Sequence, residues 1–176
     1  MNFLDEINAG ERAARATSQR LFSSMENADF AVEPVMEPAE VQTISGADTI
    51  PIERTGDIVK ARQAARLLVQ SLGFSDNQTT IVVTAVSELA RNISLYARCG
   101  EILLATRMSS ARVGIVVEAC DAGPGIADVQ AAMESGYSTS GGLGYGLSGV
   151  RGMADEFEIS SQLGRGTRIV LTMWLR

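Results

Sequence analysis

Glu88 and Asn92 sit four residues apart in the stretch IVVTAVSELARNISLYA, which is otherwise apolar enough to form a buried helix. Four residues is about one helical turn, so both side chains project from one side, beside Ile81 and Ala85. A carboxylate on such a helix costs free energy unless something pairs with it. Two oxygen-bearing side chains one turn apart can serve an attacking hydroxyl and a Mg²⁺ ion. A solvent-facing pair on an amphipathic helix is the plainer alternative, and these two residues alone favour it.

Three further stretches could handle a nucleotide. In Cys120-Asp121-Ala122-Gly123-Pro124-Gly125, an acid precedes a turn with two glycines, which lets backbone come close to a flat ligand. An ionised carboxylate only accepts hydrogen bonds, a match for an exocyclic amine such as that of adenine; a turn capped by Asp121 is the simpler reading. The run Ser138-Thr139-Ser140-Gly141-Gly142-Leu143-Gly144-Tyr145-Gly146-Leu147 leads into a helix. Successive backbone N–H groups and a helix N-terminus make an anion site there, the hydroxyls add donors, and the dense glycines suit a mobile lid. Gly144 to Gly149 also fits G-x-G-x-x-G, but a loop precedes it where the dinucleotide fold needs a strand. Gly164-Arg165-Gly166-Thr167, taken by itself, is a hairpin turn.

Absent residues narrow the chemistry further. The chain has no histidine, which excludes a histidine base, a histidine metal ligand and a phosphohistidine. Lys60 is its single lysine and follows Asp57-Ile58-Val59 with no glycine-rich loop before it, so neither a P-loop nor the lysine site of the large protein-kinase family fits. Cys99 and Cys120 lack C-x-x-C spacing and read as two ordinary thiols.

Positioning these motifs requires an α+β alternation. Thr49 to Arg54 suits a strand that Pro51 keeps near an edge. Ile58, Ala61, Ala65, Leu68 and Leu72 mark an amphipathic helix ended by Gly73. The next helix starts at Ser75 or Asp76, both good caps, and runs to about Ala97, with Val82, Val86, Leu89 and Ile93 as its buried stripe. Glu101 to Arg107 and Arg112 to Asp121 predict a hairpin. Val129 to Glu134 predicts a short helix, Leu147 to Glu156 another, and a closing hairpin joins Phe157 to Gln162 with Thr167 to Leu175. The expected architecture is a two-layer α+β sandwich, a mixed and mostly antiparallel sheet with helices grouped on one face.

Before this domain, residues 1–45 read as a helix and a linker. Leu4, Ile7, Ala14, Leu21 and Met25 recur at heptad-like intervals, which suits either a solvated helix or one for docking or dimerisation. Asp29 to Gln42 is acidic with two prolines and reads as linker, leaving 46–176 as the folded domain. The formal net charge is −6, which argues against non-specific nucleic-acid binding. No apolar run spans a bilayer and the acidic start is unlike a signal peptide, so no membrane partner and a cytoplasmic location are expected.

In order, the motifs are Glu-x-x-x-Asn, Asp-x-Gly-x-Gly, a glycine lid and Gly-x-Gly-Thr. That set, from about Ile50 to the C-terminus, resembles the GHKL ATPase superfamily (gyrase B, bacterial histidine kinases and MutL), whose ATP-binding fold is of the Bergerat type. More narrowly, SELARNISLYA, DAGPGI, STSGGLGYGL and the ending Trp174-Leu175-Arg176 resemble the RsbT-type switch serine/threonine kinases, relatives of the anti-sigma-factor kinases. The resemblance implies ATP and Mg²⁺ as cofactors, Glu88 as general base and Asn92 as the Mg²⁺ ligand. It implies that Asp121 accepts from the adenine amine, helped by Thr167 and a water, and that Gly123 and Gly125 shape the adenine pocket. Gly142, Gly144 and Gly146, with Ser138 and Thr139, would wrap the phosphates.

By the same resemblance, the substrate is a serine or threonine of a STAS-domain protein in a stressosome-like partner-switching pathway. The released kinase would also activate a PPM-type phosphatase. The alternative is a nucleotide-gated anti-sigma factor that sequesters a sigma factor. The catalytic half of a histidine kinase fails on composition: with no histidine the chain cannot phosphorylate itself there, and the acceptor would have to lie on a separate protein. Residues 1–45 have no counterpart in the compact switch kinases, which opens the question of partner docking or dimerisation.

Overall fold

The computed structural model describes residues 43–109, 112–134 and 146–176. The N-terminal helix and linker expected over 1–45 lie outside the described residues except for the last three, which begin the first strand.

Five strands form one sheet: β1 (Thr43–Ile52), β2 (Gly100–Met108), β3 (Val113–Asp121), β4 (Glu156–Gln162) and β5 (Gly166–Trp174). Their order is β1-β2-β3-β5-β4, and every described pairing is antiparallel, in line with the mostly antiparallel sheet expected. β1 is an edge strand, the place where Pro51 can lack an N–H without orphaning a ladder partner. It begins earlier than its Thr49-to-Arg54 signal, because Thr43, Ile44 and Ser45 pair with Met108, Arg107 and Thr106 beyond a register shift before Asp48.

Among the described residues, four α-helices accompany the sheet: α1 (Thr55–Ser71), α2 (Asp76–Asn92), the single turn α3 (Val129–Ala132) and α4 (Gly146–Met153). The cause of α2's start is visible in the sequence. Ser75 accepts the Gln78 N–H at 3.3 Å while the Gln78 side chain accepts the Ser75 N–H at 3.3 Å, a reciprocal capping box. At α1, the Asp57 carboxylate accepts the N–H groups of Glu53 and Arg54 and pairs with Lys60 at 2.8 Å. The single lysine is thereby held at a helix N-terminus.

Alternate residues of each strand build the core from one face: Ile50 and Ile52, Ile102 and Leu104, Ile115, Val117 and Ala119, then Ile169, Leu171 and Met173. Ala61, Ala65 and Val69 of α1 and Val82, Ala85, Val86 and Leu89 of α2 meet them. Val150 of α4 joins the same cluster. Each Val, Leu or Ile among them, once fully buried, contributes about 1.5–3 kcal/mol, and each Ala less. Helices α1, α2 and α4 thus sit on one face of the sheet, the α+β arrangement expected. No described helix is long and apolar enough to cross a membrane.

Helix ends also differ from expectation. The helix carrying Glu88 reaches Ala97 as expected, but its last five residues, Ile93–Ala97, form a π-helical segment, and Arg98 then turns with φ 68°. The helix expected to reach Glu156 stops at Met153. The Asp155 N–H donates to the Thr172 carbonyl at 3.0 Å, so the chain has already joined the sheet.

Candidate functional site

Asp121 ends β3 and faces Thr167 across the β3–β5 ladder. Counting along each strand, both fall on the face that carries Ile115, Val117, Ile169 and Leu171, the side covered by helices. The Gly123 N–H donates to the Asp121 carboxylate at 2.8 Å, and the backbone N–H of Thr167 donates to it as well. Burial is the larger influence and pushes the Asp121 carboxyl above the ordinary carboxylate range, while those two N–H groups favour its ionised form.

The loop after Asp121 is tightly seated. A side chain at Gly123 would place its first carbon 2.6 Å from the Ala97 Cβ, so this loop presses on the π-helical end of the α2 element. Gly125 has φ +71°, and a Cβ there would fall 2.1 Å from the Gln162 carbonyl oxygen. Only glycine meets both demands. The turn between β4 and β5 answers from the other side, where the Gly164 N–H donates to the Pro124 carbonyl at 2.8 Å.

Ser161 ties these segments together and was not singled out from the sequence. Its hydroxyl accepts the Ile126 N–H at 2.8 Å, donates to the Gly166 carbonyl at 3.0 Å and lies 2.8 Å from the Thr167 hydroxyl. A serine in EISSQLGRGT carries no signal of this kind. Only the hairpin register, which opposes Ser161 to Thr167, reveals it.

Glu88 and Asn92 lie on α2, half-buried, next to the fully buried Leu89 and Ile93. Neither side chain is held by a hydrogen bond or ion pair among the described residues, which leaves their oxygens available to a ligand. The π-helical segment that follows packs on β2 and β3. π-Segments of this kind recur at functional sites. Gly146 opens α4, which packs against α2. Ser138, Thr139, Gly142 and Gly144 lie outside the described residues.

The structure therefore brings Asp121, Gly123, Gly125 and Thr167 together directly, and joins them through Ala97 to the helix of Glu88 and Asn92. An acceptor pair at a strand end, a closely approached backbone and helix oxygens with no partner among the described residues can hold a donor-bearing ring and, nearby, a cation or a hydroxyl. Cys120, beside Asp121, is no nucleophile: burial, then the nearby Glu118, Glu101 and Asp121 carboxylates, push its thiol up to about 12.

Residues 53–173 match the family described as histidine kinase-like ATPase domain. The chain is 48% identical over 120 residues to "Serine/threonine-protein kinase RsbT" of Bacillus subtilis (strain 168), an alignment covering 68% of this chain and 90% of that protein. Among solved structures, the RsbU and RsbW domains of a Mycobacterium tuberculosis protein share 18% identity with a TM-score of 0.49, over 74% of this chain and 32% of that one.

Proposed function

Because the chain belongs to the histidine kinase-like ATPase family, we propose that it is an ATP-dependent serine/threonine protein kinase acting in partner switching among regulatory proteins. The observation that most supports this reading is the meeting of the Asp121–Thr167 pair and the Gly123 loop with the end of the helix bearing Glu88 and Asn92. Asp121 accepts from the adenine amine, and Gly123 and Gly125 leave room for the ring. Backbone N–H groups at Gly142, Gly144 and Gly146, with the Ser138 and Thr139 hydroxyls, wrap the phosphates.

The Asn92 amide oxygen, half-buried with no described partner, suits a Mg²⁺ ion that keeps most of its ligands as phosphate oxygens and water. When bound, that ion would neutralise phosphate charge. Glu88 accepts the proton of a serine or threonine hydroxyl. The hydroxyl oxygen forms its bond to the γ-phosphorus while the bond to the ADP oxygen breaks, and ADP leaves.

The acceptor in this reading is a STAS-domain regulatory protein of a cytoplasmic, stressosome-like stress pathway. Once released from it, the kinase binds and activates a PPM-type phosphatase. Similarity to the Bacillus subtilis kinase and the ordered motifs support these assignments.

Intact-mass measurement of a candidate STAS-domain protein after incubation with this chain and MgATP tests the reading. One added phosphate on the partner is expected. ATP binding with no phosphate on the partner, together with tight capture of a sigma factor, would instead favour a nucleotide-gated anti-sigma factor.

A further inference from the structure

A serine hydroxyl has one proton to donate and two lone pairs to accept with. At Ser161 the partners use all three. The Ile126 N–H, 2.8 Å away, occupies one lone pair. The Gly166 carbonyl, 3.0 Å away, can only accept and so takes the proton. The Thr167 hydroxyl, 2.8 Å away, must therefore donate into the remaining lone pair. Its own proton is thereby turned inward, and the Thr167 oxygen keeps only lone pairs for anything else.

That polarity matters because of what faces Thr167 across the ladder. Asp121 on the same face of the sheet is also an acceptor when ionised, held by the Gly123 and Thr167 N–H groups. Two neighbouring acceptors welcome a donor edge. A carbonyl in the same place meets lone pairs on both sides and loses its own water without replacement.

We propose that Ser161 is a positioning residue that locks the Thr167 hydroxyl as an acceptor, making the site select purine nucleotides with an amine rather than a carbonyl at the six-position. This rests on the nucleotide site proposed above and adds the origin of its base selectivity. Ser161 touches no part of the nucleotide and acts only through Thr167.

The test compares dissociation constants for ATP and inosine triphosphate, which differ only in that ring edge, by titration calorimetry on the full chain. The wild type binds ATP more tightly. Ser161→Ala frees the Thr167 hydroxyl to rotate and donate outward, so ATP weakens, inosine triphosphate strengthens and their ratio falls by about five- to tenfold. Ser161→Cys, nearly isosteric but a weak acceptor and donor, moves the ratio the same way and serves if the alanine variant does not fold. An equal loss for both nucleotides would make Ser161 a mere staple between turns and overturn the proposal. So would a wild type that binds both equally. A wild type that binds neither removes the nucleotide site itself, an outcome distinct from a lost preference.

Discussion

Asp121 carries two backbone N–H groups on its carboxylate, from Gly123 at 2.8 Å and from Thr167. A carboxylate can accept both and still offer lone pairs to an amine. An amide has one oxygen and one NH₂, so Asn at this position sets a donor against either a backbone N–H or the adenine amine. Asp121→Asn is therefore expected to weaken ATP and ADP together, by about tenfold or more, in a direct binding titration. Loss confined to one nucleotide would remove Asp121 from the adenine pocket.

The protonation of Asp121 gives a second handle. Burial lifts its titration above the ordinary value of 3.8, so the folded protein holds that proton more tightly than the unfolded chain. This group's contribution to stability is therefore present below 3.8 and is lost as pH rises through the folded value. Binding in the proposed adenine site has the opposite sign, since the amine would need the ionised form. The wild-type advantage over Asp121→Asn should thus shrink as pH falls into that window, and taking the ratio cancels titration of the nucleotide's own phosphates.

At the level of elements, the β4–β5 turn is where the sheet and the Asp121 loop lock together. Gly164 and Gly166 both have positive φ, at 72° and 109°. They differ in their surroundings: a Cβ at Gly164 meets nothing within 4 Å, whereas one at Gly166 would lie 1.9 Å from the Asp121 carbonyl oxygen. Gly164→Ala bears only the left-handed conformational cost of about 1–2 kcal/mol. Gly166→Ala must also push β5 away from Asp121, so its thermal midpoint should fall further and its ATP affinity should drop, while Gly164→Ala keeps its affinity. Equal behaviour of the two variants in a melt and a titration would contradict the close approach.

Element positions were largely legible in the sequence, because the apolar periods are strong: the Val82, Val86, Leu89, Ile93 stripe is the face that packs into the core. What escaped depends on long-range contacts. The π-helical form of Ile93–Ala97 has no local signature, and the early end of α4 follows from Asp155 bonding Thr172, a partner 17 residues on. Ser161 gains meaning only once a register sets it opposite Thr167. Of the motif residues, those in the lid lie outside the described residues apart from Gly146.

For the whole molecule, four motifs far apart in the chain serve one reaction only if the fold brings them together. Helix α2 supplies Glu88 and Asn92, β3 supplies Asp121, and β5 supplies Thr167, with the Gly123–Ala97 contact as the junction between helix and sheet. In the proposed function this arrangement divides binding from chemistry: the sheet end would read the base, and the helix would act on the phosphate and the acceptor. A net charge of −6 does not oppose anion binding by such a site, since in the proposed function the phosphates would meet backbone N–H groups and a cation rather than the molecule's average field.

Glu88→Ala tests that division most directly. Nucleotide affinity and single-turnover transfer to a candidate STAS-domain protein should be measured on the same preparation. Affinity should remain within a few-fold of wild type while the transfer rate falls by about 10²–10⁴-fold, the scale of a lost general base. Transfer at the wild-type rate, or a loss of binding as large as the loss of transfer, would contradict the role assigned to Glu88.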